Sequence, residues 1–199
     1  RVSKDIDIFI ADPQLLGHLS PRLNPIAEAI APDYVEQANF LKLYFPEGEI
    51  DFVVSRPLTD DPVIMERVLG RDIRVETSAE IIAKKLWYRS SDLTARDIFD
   101  FALVAQREPA ALRQIQPILA DRAETILERI EDWSEALRED FLALDVLDDR
   151  PAFDDCIGVI REVLSAGSIR PPQRAEQKRA QYLVLGRSLR VAAAASASS

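Results

Sequence analysis

The sequence predicts an α/β protein in which a small mixed β-sheet is followed by a C-terminal helical bundle. Apolar and polar residues alternate within the first ten residues and again over residues 49–55, as expected of strands with one buried face. From Thr77 onward, helix-start signals and helical spacing of apolar residues follow one another. At 199 residues and 47% hydrophobic content, the chain is long enough to bury a substantial core.

The first predicted strand carries apolar and acidic residues on opposite faces. Ile6, Ile8 and Ile10 point to one side, and Asp5 and Asp7 point to the other. The two acids are separated by about 6 to 7 Å along the strand, a spacing that suits a divalent cation bound by carboxylate oxygens. An Asp-x-Asp pair can also be a solvated strand edge or a turn signal, so this pair alone leaves both interpretations open.

A helical segment is expected after the first strand. Asp12 is a suitable N-cap and Pro13 a suitable first helical residue. Because Pro21 and Pro25 interrupt the apolar pattern that follows, we expect one broken helix or two short ones, ending near Ala31.

Two strands, at residues 39–45 and 49–55, are predicted to form an antiparallel hairpin around the turn Pro46-Glu47-Gly48. Asp51 lies on the polar face of the second strand and is the candidate third carboxylate. Two acids from one strand and one from its neighbour form the arrangement that two-metal phosphoryl transfer requires. A short helix at 61–69 and a short strand at 73–75 would complete the α/β layer.

The second half of the chain reads as a series of helices. Thr77-Ser-Ala-Glu80 and Thr94-Ala-Arg-Asp97 are capping-box signatures, each expected to begin a helix. Three further helices are expected at about 109–119, 121–144 and 152–166, and Gly167 with Pro171-Pro172 ends the compact part. The predicted domains are an α/β core at 1–76, a helical part at 77–169, and a basic segment with an Ala/Ser tail at 170–199.

Composition limits the chemistry that is available. With one cysteine, Cys156, and one histidine, His18, the chain has neither a disulfide framework nor a His/Cys zinc cluster, so carboxylates and cations are the candidate groups. No segment resembles a secretion signal or a membrane span, and we expect a cytoplasmic protein with no membrane partner.

Charge is unevenly distributed along the chain. The formal charge is −9, yet residues 170–190 contain six basic residues and one glutamate. This segment is either a strip that contacts phosphates or a solvated helix with basic residues near its end.

Four segments in order, Arg1-x-Ser-x-Asp-Ile-Asp-x-Phe, Glu49-Ile-Asp-Phe-Val, Lys85-Leu86 and Ala95-Arg-Asp-Ile-Phe-Asp100, resemble the AbiEii-type nucleotidyltransferases. These belong to the polymerase-beta-like superfamily and include toxins of abortive-infection systems. The resemblance covers about residues 1–104 and implies a sheet of the nucleotidyltransferase type.

The resemblance implies roles for particular residues. The metal ligands would be Asp5, Asp7 and Asp51, which with Lys85 and Asp97 would form the catalytic set; the nucleotide would be bound by Lys85, Arg89, Asp100 and Ser3. Simpler interpretations remain for the helical residues: Lys85 and Arg89 share a helix face that could be only a solvated cationic stripe, and Asp97 could serve only as a cap. Lys84 competes for the role of Lys85.

The resemblance further implies a metal-dependent enzyme that uses Mg²⁺ or Mn²⁺ to transfer an NMP from an NTP to an acceptor hydroxyl. RNA, particularly a tRNA end, is the expected acceptor, and a toxin would have a cognate antitoxin. Two rival functions remain: an inactive nucleotidyltransferase-like interaction or regulatory module, and a nucleotide-sugar glycosyltransferase that binds metal through Asp-x-Asp.

One feature of the superfamily is missing from the sequence. A Gly-Gly or Gly-Ser pair normally precedes the first acidic strand, where it lets backbone N–H groups approach the nucleotide phosphates. No such pair precedes Asp5, and we expect that the sequence lacks its N-terminal strand and helix. The alternative is a degenerate protein.

Overall fold

The computed structural model describes residues 5–146, 151–167 and 190–192. They fall into two units: a sheet unit of residues 5–77 with 190–192, and a helical unit of residues 78–146 with 151–167. Within these ranges, none of the helices combines the length and hydrophobicity needed to cross a membrane.

The sheet unit contains a mixed sheet in which β1 is parallel to two neighbours and the other strand pairs are antiparallel. The order across the sheet is β2-β3-β4-β1-β7-β6-β5. The strands are β1 (Asp5–Ile10), β2 (Tyr34–Gln37), β3 (Phe40–Phe45), β4 (Gly48–Val54), β5 (Val63–Val68), β6 (Arg71–Glu76) and β7 (Arg190–Ala192). The predicted α/β class, the first strand and the hairpin of β3 and β4 are confirmed.

Two short helices, α1 (Gln14–Leu19) and α2 (Pro25–Ile30), follow β1, as predicted. Pro25 does not interrupt a helix but is the first residue of α2, whose N-cap is Asn24. Apolar residues of α1 pack against one face of β1, β3 and β4, in a core of Ile10, Leu16, Ala31, Leu41 and Leu43 with Ile8, Phe52 and Val54 beside it. Since side chains alternate along a strand, Asp7 and Asp51 lie on the other face of the sheet.

The helix predicted at 61–69 is wrong, because these residues form β5 and the start of a hairpin. Val68 pairs with Arg71 across a two-residue turn, and the strands β5 and β6 pair along their whole length. The turn residues Leu69 and Gly70 have φ angles of 49° and 80°, so the chain reverses there and cannot continue as a right-handed helix. The strand predicted at 73–75 is confirmed within β6, whereas β2 and β7 were not predicted.

The helical unit contains six α-helices within its described residues. They are α3 (Ser78–Arg89), α4 (Ala95–Arg107), α5 (Pro109–Gln114), α6 (Gln116–Asp132), α7 (Ser134–Leu142) and α8 (Phe153–Gly167), with a 3-10 turn at Ser90–Asp92. The helices expected after Thr77 and Thr94 and at 152–166 are confirmed. The one expected at 109–119 ends at Gln114, since Pro117 cannot donate the next backbone hydrogen bond. The one expected at 121–144 is divided at Trp133.

The bundle is held together by fully buried apolar side chains. Helix α8 packs against α4 and α6, and α3 packs against α6. The ring of Phe141 on α7 is completely buried and lies 5.4 Å from the ring of Phe153 in an edge-to-face arrangement, and 6.1 Å from Phe99. Such aromatic contacts add to the stabilisation from burial.

Candidate functional site

The acidic strand residues are positioned by the parallel pairing of β1 with β4. In this register Asp5 lies beside Glu49, and Asp7 beside Asp51. Partners in a parallel register point to the same face, and neighbouring strands are about 4.8 Å apart. The four carboxylates therefore form two adjacent rows across the strands, one of Asp5 with Glu49 and one of Asp7 with Asp51. Asp7 is only 1% exposed and Asp51 only 5%. The register therefore places Asp5, Asp7 and Asp51 on neighbouring strands and on one face of the sheet.

Two further residues belong to this acidic face. On β3, Lys42 is the antiparallel partner of Asp51. Its Nζ lies 3.1 Å from Asp51 Oδ2 and 2.5 Å from Glu49 Oε2. Neither Lys42 nor Glu49 was predicted to have a role at the site. The observed two-residue turn, Pro46-Glu47, places Lys42 opposite Asp51, whereas the three-residue turn expected from the sequence would have placed Phe52 there, because turn length fixes the register of a hairpin.

Burial and ion pairing act in opposite directions on these groups. Burial raises the pKa of Asp51, and hydrogen bonding to Lys42 offsets only part of that rise. Burial lowers the pKa of Lys42, but its hydrogen bonds to Glu49 and Asp51 outweigh burial and raise the pKa overall. At neutral pH Lys42 is therefore a charged partner for two carboxylates.

The acidic face has the donor atoms that a divalent metal requires, but not an assembled metal site. Oδ1 of Asp51 is buried and accepts no hydrogen bond from the described part of the chain. Carboxylate oxygens are the ligands that Mg²⁺ prefers. No group of three or more Asp, Glu, His or Cys side chains among residues 5–146, 151–167 and 190–192 is arranged to hold a metal as it stands. Lys42 places its positive charge next to Glu49 and Asp51.

In the helical unit, a second cluster joins Lys85 on α3 to two acids on α4. Lys85 Nζ lies 2.7 Å from Asp97 Oδ1 and 2.5 Å from Asp100 Oδ2. Arg89, one turn after Lys85, approaches Asp97 Oδ2 at 3.6 Å. This ion-pair cluster holds the Lys85 ammonium in place, and Lys85 and Asp97 are both buried.

Asp97 has two structural roles. It completes the capping box of α4, in which its carboxylate accepts the Thr94 N–H at 3.1 Å and Thr94 Oγ1 accepts the Asp97 N–H at 3.2 Å. Burial alone would raise the pKa of Asp97, but Lys85 and Arg89 hold that pKa well below its usual range. Asp97 is therefore an anion at all physiological pH values, and its capping does not exclude a role beside Lys85.

The two neighbouring lysines of α3 have different acidic partners. Lys84 lies 3.5 Å from Glu80, one turn earlier on the same helix. Lys85 instead pairs with the acids of the Arg-Asp-Ile-Phe-Asp segment of α4. This difference favours Lys85 over Lys84 as the lysine associated with that segment.

The predicted site residues belong to both units of the structure. Asp5, Asp7 and Asp51 belong to the sheet unit, whereas Lys85, Arg89, Asp97 and Asp100 belong to the helical unit. Ser3 lies outside the described residues, and so does the basic segment 170–190 except for Arg190, which begins β7. His18 is exposed near the end of α1.

Comparisons with known proteins identify the family. No curated protein matches the chain significantly. A crystal structure of a proposed nucleotidyltransferase from H. pylori matches with a TM-score of 0.45 and 14% identity, over 84% of this chain and 79% of that one. The family model described as the nucleotidyl transferase AbiEii toxin of type IV toxin–antitoxin systems matches residues 1–179. The resemblance drawn from the four sequence segments is thus confirmed, and the chain belongs to the AbiEii family of nucleotidyl transferase toxins.

Proposed function

We propose that this protein is a metal-dependent nucleotidyltransferase that transfers an NMP from an NTP to an acceptor hydroxyl. The main support is the parallel register of β1 and β4, which brings Asp7 beside Asp51 and Asp5 beside Glu49 on one face. Family membership implies a nucleotide substrate and a cognate antitoxin. RNA, particularly a tRNA end, is the proposed acceptor.

In this proposal, Asp5, Asp7 and Asp51 hold Mg²⁺ or Mn²⁺. When bound, such ions neutralise the triphosphate and make an acceptor hydroxyl more nucleophilic. The acceptor oxygen forms a bond to the α-phosphorus as the bond to the β-phosphate oxygen breaks; pyrophosphate leaves, and the hydroxyl proton passes to water. Positioning and charge stabilisation account for most of the rate in reactions of this class.

The proposed role of the helical cluster is to bind phosphate. Lys85 would contact the β- and γ-phosphates, and Arg89 and Asp100 would contribute to nucleotide binding. Asp97 and Asp100 fix the position of the Lys85 ammonium through the ion pairs already described. A cation held in this way loses little conformational freedom when a phosphate binds, which favours transition-state stabilisation over nonspecific attraction.

The direct test is label transfer. The native protein is incubated with each α-³²P-labelled NTP, Mg²⁺ or Mn²⁺, and total RNA, and the experiment is repeated with Asp7→Ala. We expect transfer to fall by about a hundredfold or more in the variant, because a proposed ligand of the catalytic metal is removed. The matched control is Asp72→Ala on β6, an exposed strand aspartate paired with Arg67, which should transfer normally. Transfer that survives Asp7→Ala unchanged would refute the metal role.

One observation favours the alternative of a catalytically inactive interaction or regulatory module: Lys42 already supplies a positive charge to Glu49 and Asp51. A protein with its own cation at this position could keep the fold without binding metal. Calorimetric titration with Mg²⁺ and NTP separates the two functions, because an inactive module gives no metal-dependent heat.

A further inference from the structure

We propose that Lys42 is a positioning residue that competes with the divalent metal for Glu49 and Asp51 and so sets the metal affinity of the acidic face. This inference rests on the proposed metal-dependent function and adds a residue that regulates the same site. The ligand concerned is a divalent cation bound by carboxylate oxygen.

The register of β3 and β4 places Lys42 where it can compete. Lys42 is directly opposite Asp51, and its Nζ contacts one oxygen of Asp51 and one of Glu49. The Lys42 side chain is only 16% exposed, so water screens these ion pairs less than surface pairs. A divalent ion that binds Asp51 must therefore displace the ammonium or share the carboxylate with it.

Glu49 makes the competition stronger. It lies beside Asp5 in the parallel register, next to the row of Asp7 and Asp51. By contacting Glu49 and Asp51 together, Lys42 links the two acidic rows through one charge. Removing the ammonium leaves both acids without this cation, which favours binding of another cation in its place.

The Lys42 ammonium has a further contact that does not involve the two acids. Tyr44, two residues along β3 on the same face, has its ring centroid 5.9 Å from Lys42 Nζ and is 39% exposed. A cation over an aromatic ring retains part of its stabilisation, and solvent at this partly open ring can hydrate the ammonium. The Lys42 ammonium can therefore leave Glu49 and Asp51 and still be hydrated.

The test measures Mn²⁺ binding directly by electron paramagnetic resonance of the free ion, without assaying transfer. Lys42→Met removes the charge at nearly constant length, and Lys42→Arg retains it. We expect Mn²⁺ to bind Lys42→Met about tenfold more tightly than wild type, equivalent to about 1.4 kcal/mol, and Lys42→Arg to stay near wild type. Arg67→Met, which removes a cation from a cross-strand ion pair elsewhere in the same sheet, should also bind like wild type.

The outcomes separate this inference from the proposed function. Metal binding that is detectable only in Lys42→Met supports the competition, with Lys42 as a strong competitor. If wild type binds Mn²⁺ and Lys42→Met binds it equally or more weakly, the competition is refuted and the metal function stands. If no variant binds Mn²⁺, both are refuted.

A second measurement uses the unaltered protein, in case Lys42→Met does not fold. The chain has five lysines, so the lysine side-chain signals can be resolved by NMR and that of Lys42 assigned by its loss in Lys42→Arg. We expect saturation with Mg²⁺ to move the Lys42 signal as the ammonium leaves Glu49 and Asp51. Metal binding that leaves this signal unchanged would overturn the inference.

Discussion

The buried ion pairs of Asp97 make the helical unit sensitive to a single change, Asp97→Asn. Asparagine keeps an oxygen that can accept the Thr94 N–H, so the variant removes the charge while preserving most of the cap. Lys85 then retains Asp100 as a partner, and Arg89 loses its contact with Asp97. Removing one partner of a buried pair costs about 3 to 5 kcal/mol, and the remaining contact with Asp100 places the expected loss at about 3 kcal/mol.

Tryptophan fluorescence during urea denaturation measures this loss of stability in the helical unit. Both tryptophans of the chain, Trp87 and Trp133, lie in the helical unit, so their emission reports its unfolding. Asp154→Asn is the control, because Asp154 pairs with Arg138 at the surface and its side chain is 72% exposed. Removal of that solvent-screened charge should cost much less stability than removal of the buried Asp97 charge.

The pH dependence of the stability difference between wild type and Asp97→Asn tests whether the ion pairs of Asp97 stabilise the unit. The pKa of Asp97 is lower in the folded protein than the value of about 3.9 in an unfolded chain. Its contribution to stability is therefore fully present well above pH 4 and is lost as the pH falls toward the folded pKa. The difference between wild type and Asp97→Asn should be constant from pH 6 to 8 and shrink below pH 4. A difference near zero at pH 7, or one that grows on acidification, would show that the ion pairs do not stabilise the unit.

Two further predictions concern the sheet unit. Because burial raises the pKa of Asp51, its charged form is disfavoured in the folded state, and Asp51→Asn should melt at the same temperature as wild type or higher in EDTA while losing label transfer; a clearly lower melting temperature would contradict this. Leu69 is 99% exposed with a φ of 49°, so Leu69→Asn, which suits the left-handed turn before Gly70, should stabilise the unit by about 0.5 to 1 kcal/mol in calorimetry. Gly70→Ala, at a φ of 80°, should have the opposite effect, and equal effects of the two variants would refute the turn argument.

Strong local signals made much of the fold predictable. The capping box at Thr94 specified the start of α4, and the turn after Phe45 specified the hairpin of β3 and β4. The segment 61–69 was misassigned because Met65, Glu66 and Arg67 have good helix propensity, whereas the turn that makes it a strand begins with leucine, a residue rarely found at positive φ. Local propensity was overridden by pairing with β6.

The candidate site was predictable only in part, for a related physical reason. The sequence shows which residues share a face of one strand, and this was enough to place Asp5 and Asp7 on one side of β1 and Asp51 on the polar side of β4. It does not show which strands lie side by side beyond the hairpin, nor where a long flexible side chain ends. The approach of Asp51 to Asp5 and Asp7 depends on the pairing of β1 with β4, and the ion pairs of Lys42 depend on the length of the turn and on where its side chain ends.

The tight turn between Phe45 and Gly48 has a consequence for how this chain can vary. Phe45 pairs with Gly48, and this pair sets the partner of every other residue along β3 and β4. A slip of this pairing by one residue would turn β4 over, so that Phe52 would occupy the side now held by Asp51. Exchanging residue types in the loop leaves that pairing intact. An insertion or deletion that shifts the pairing by one residue would therefore remove Asp51 from its partners without any substitution at the site.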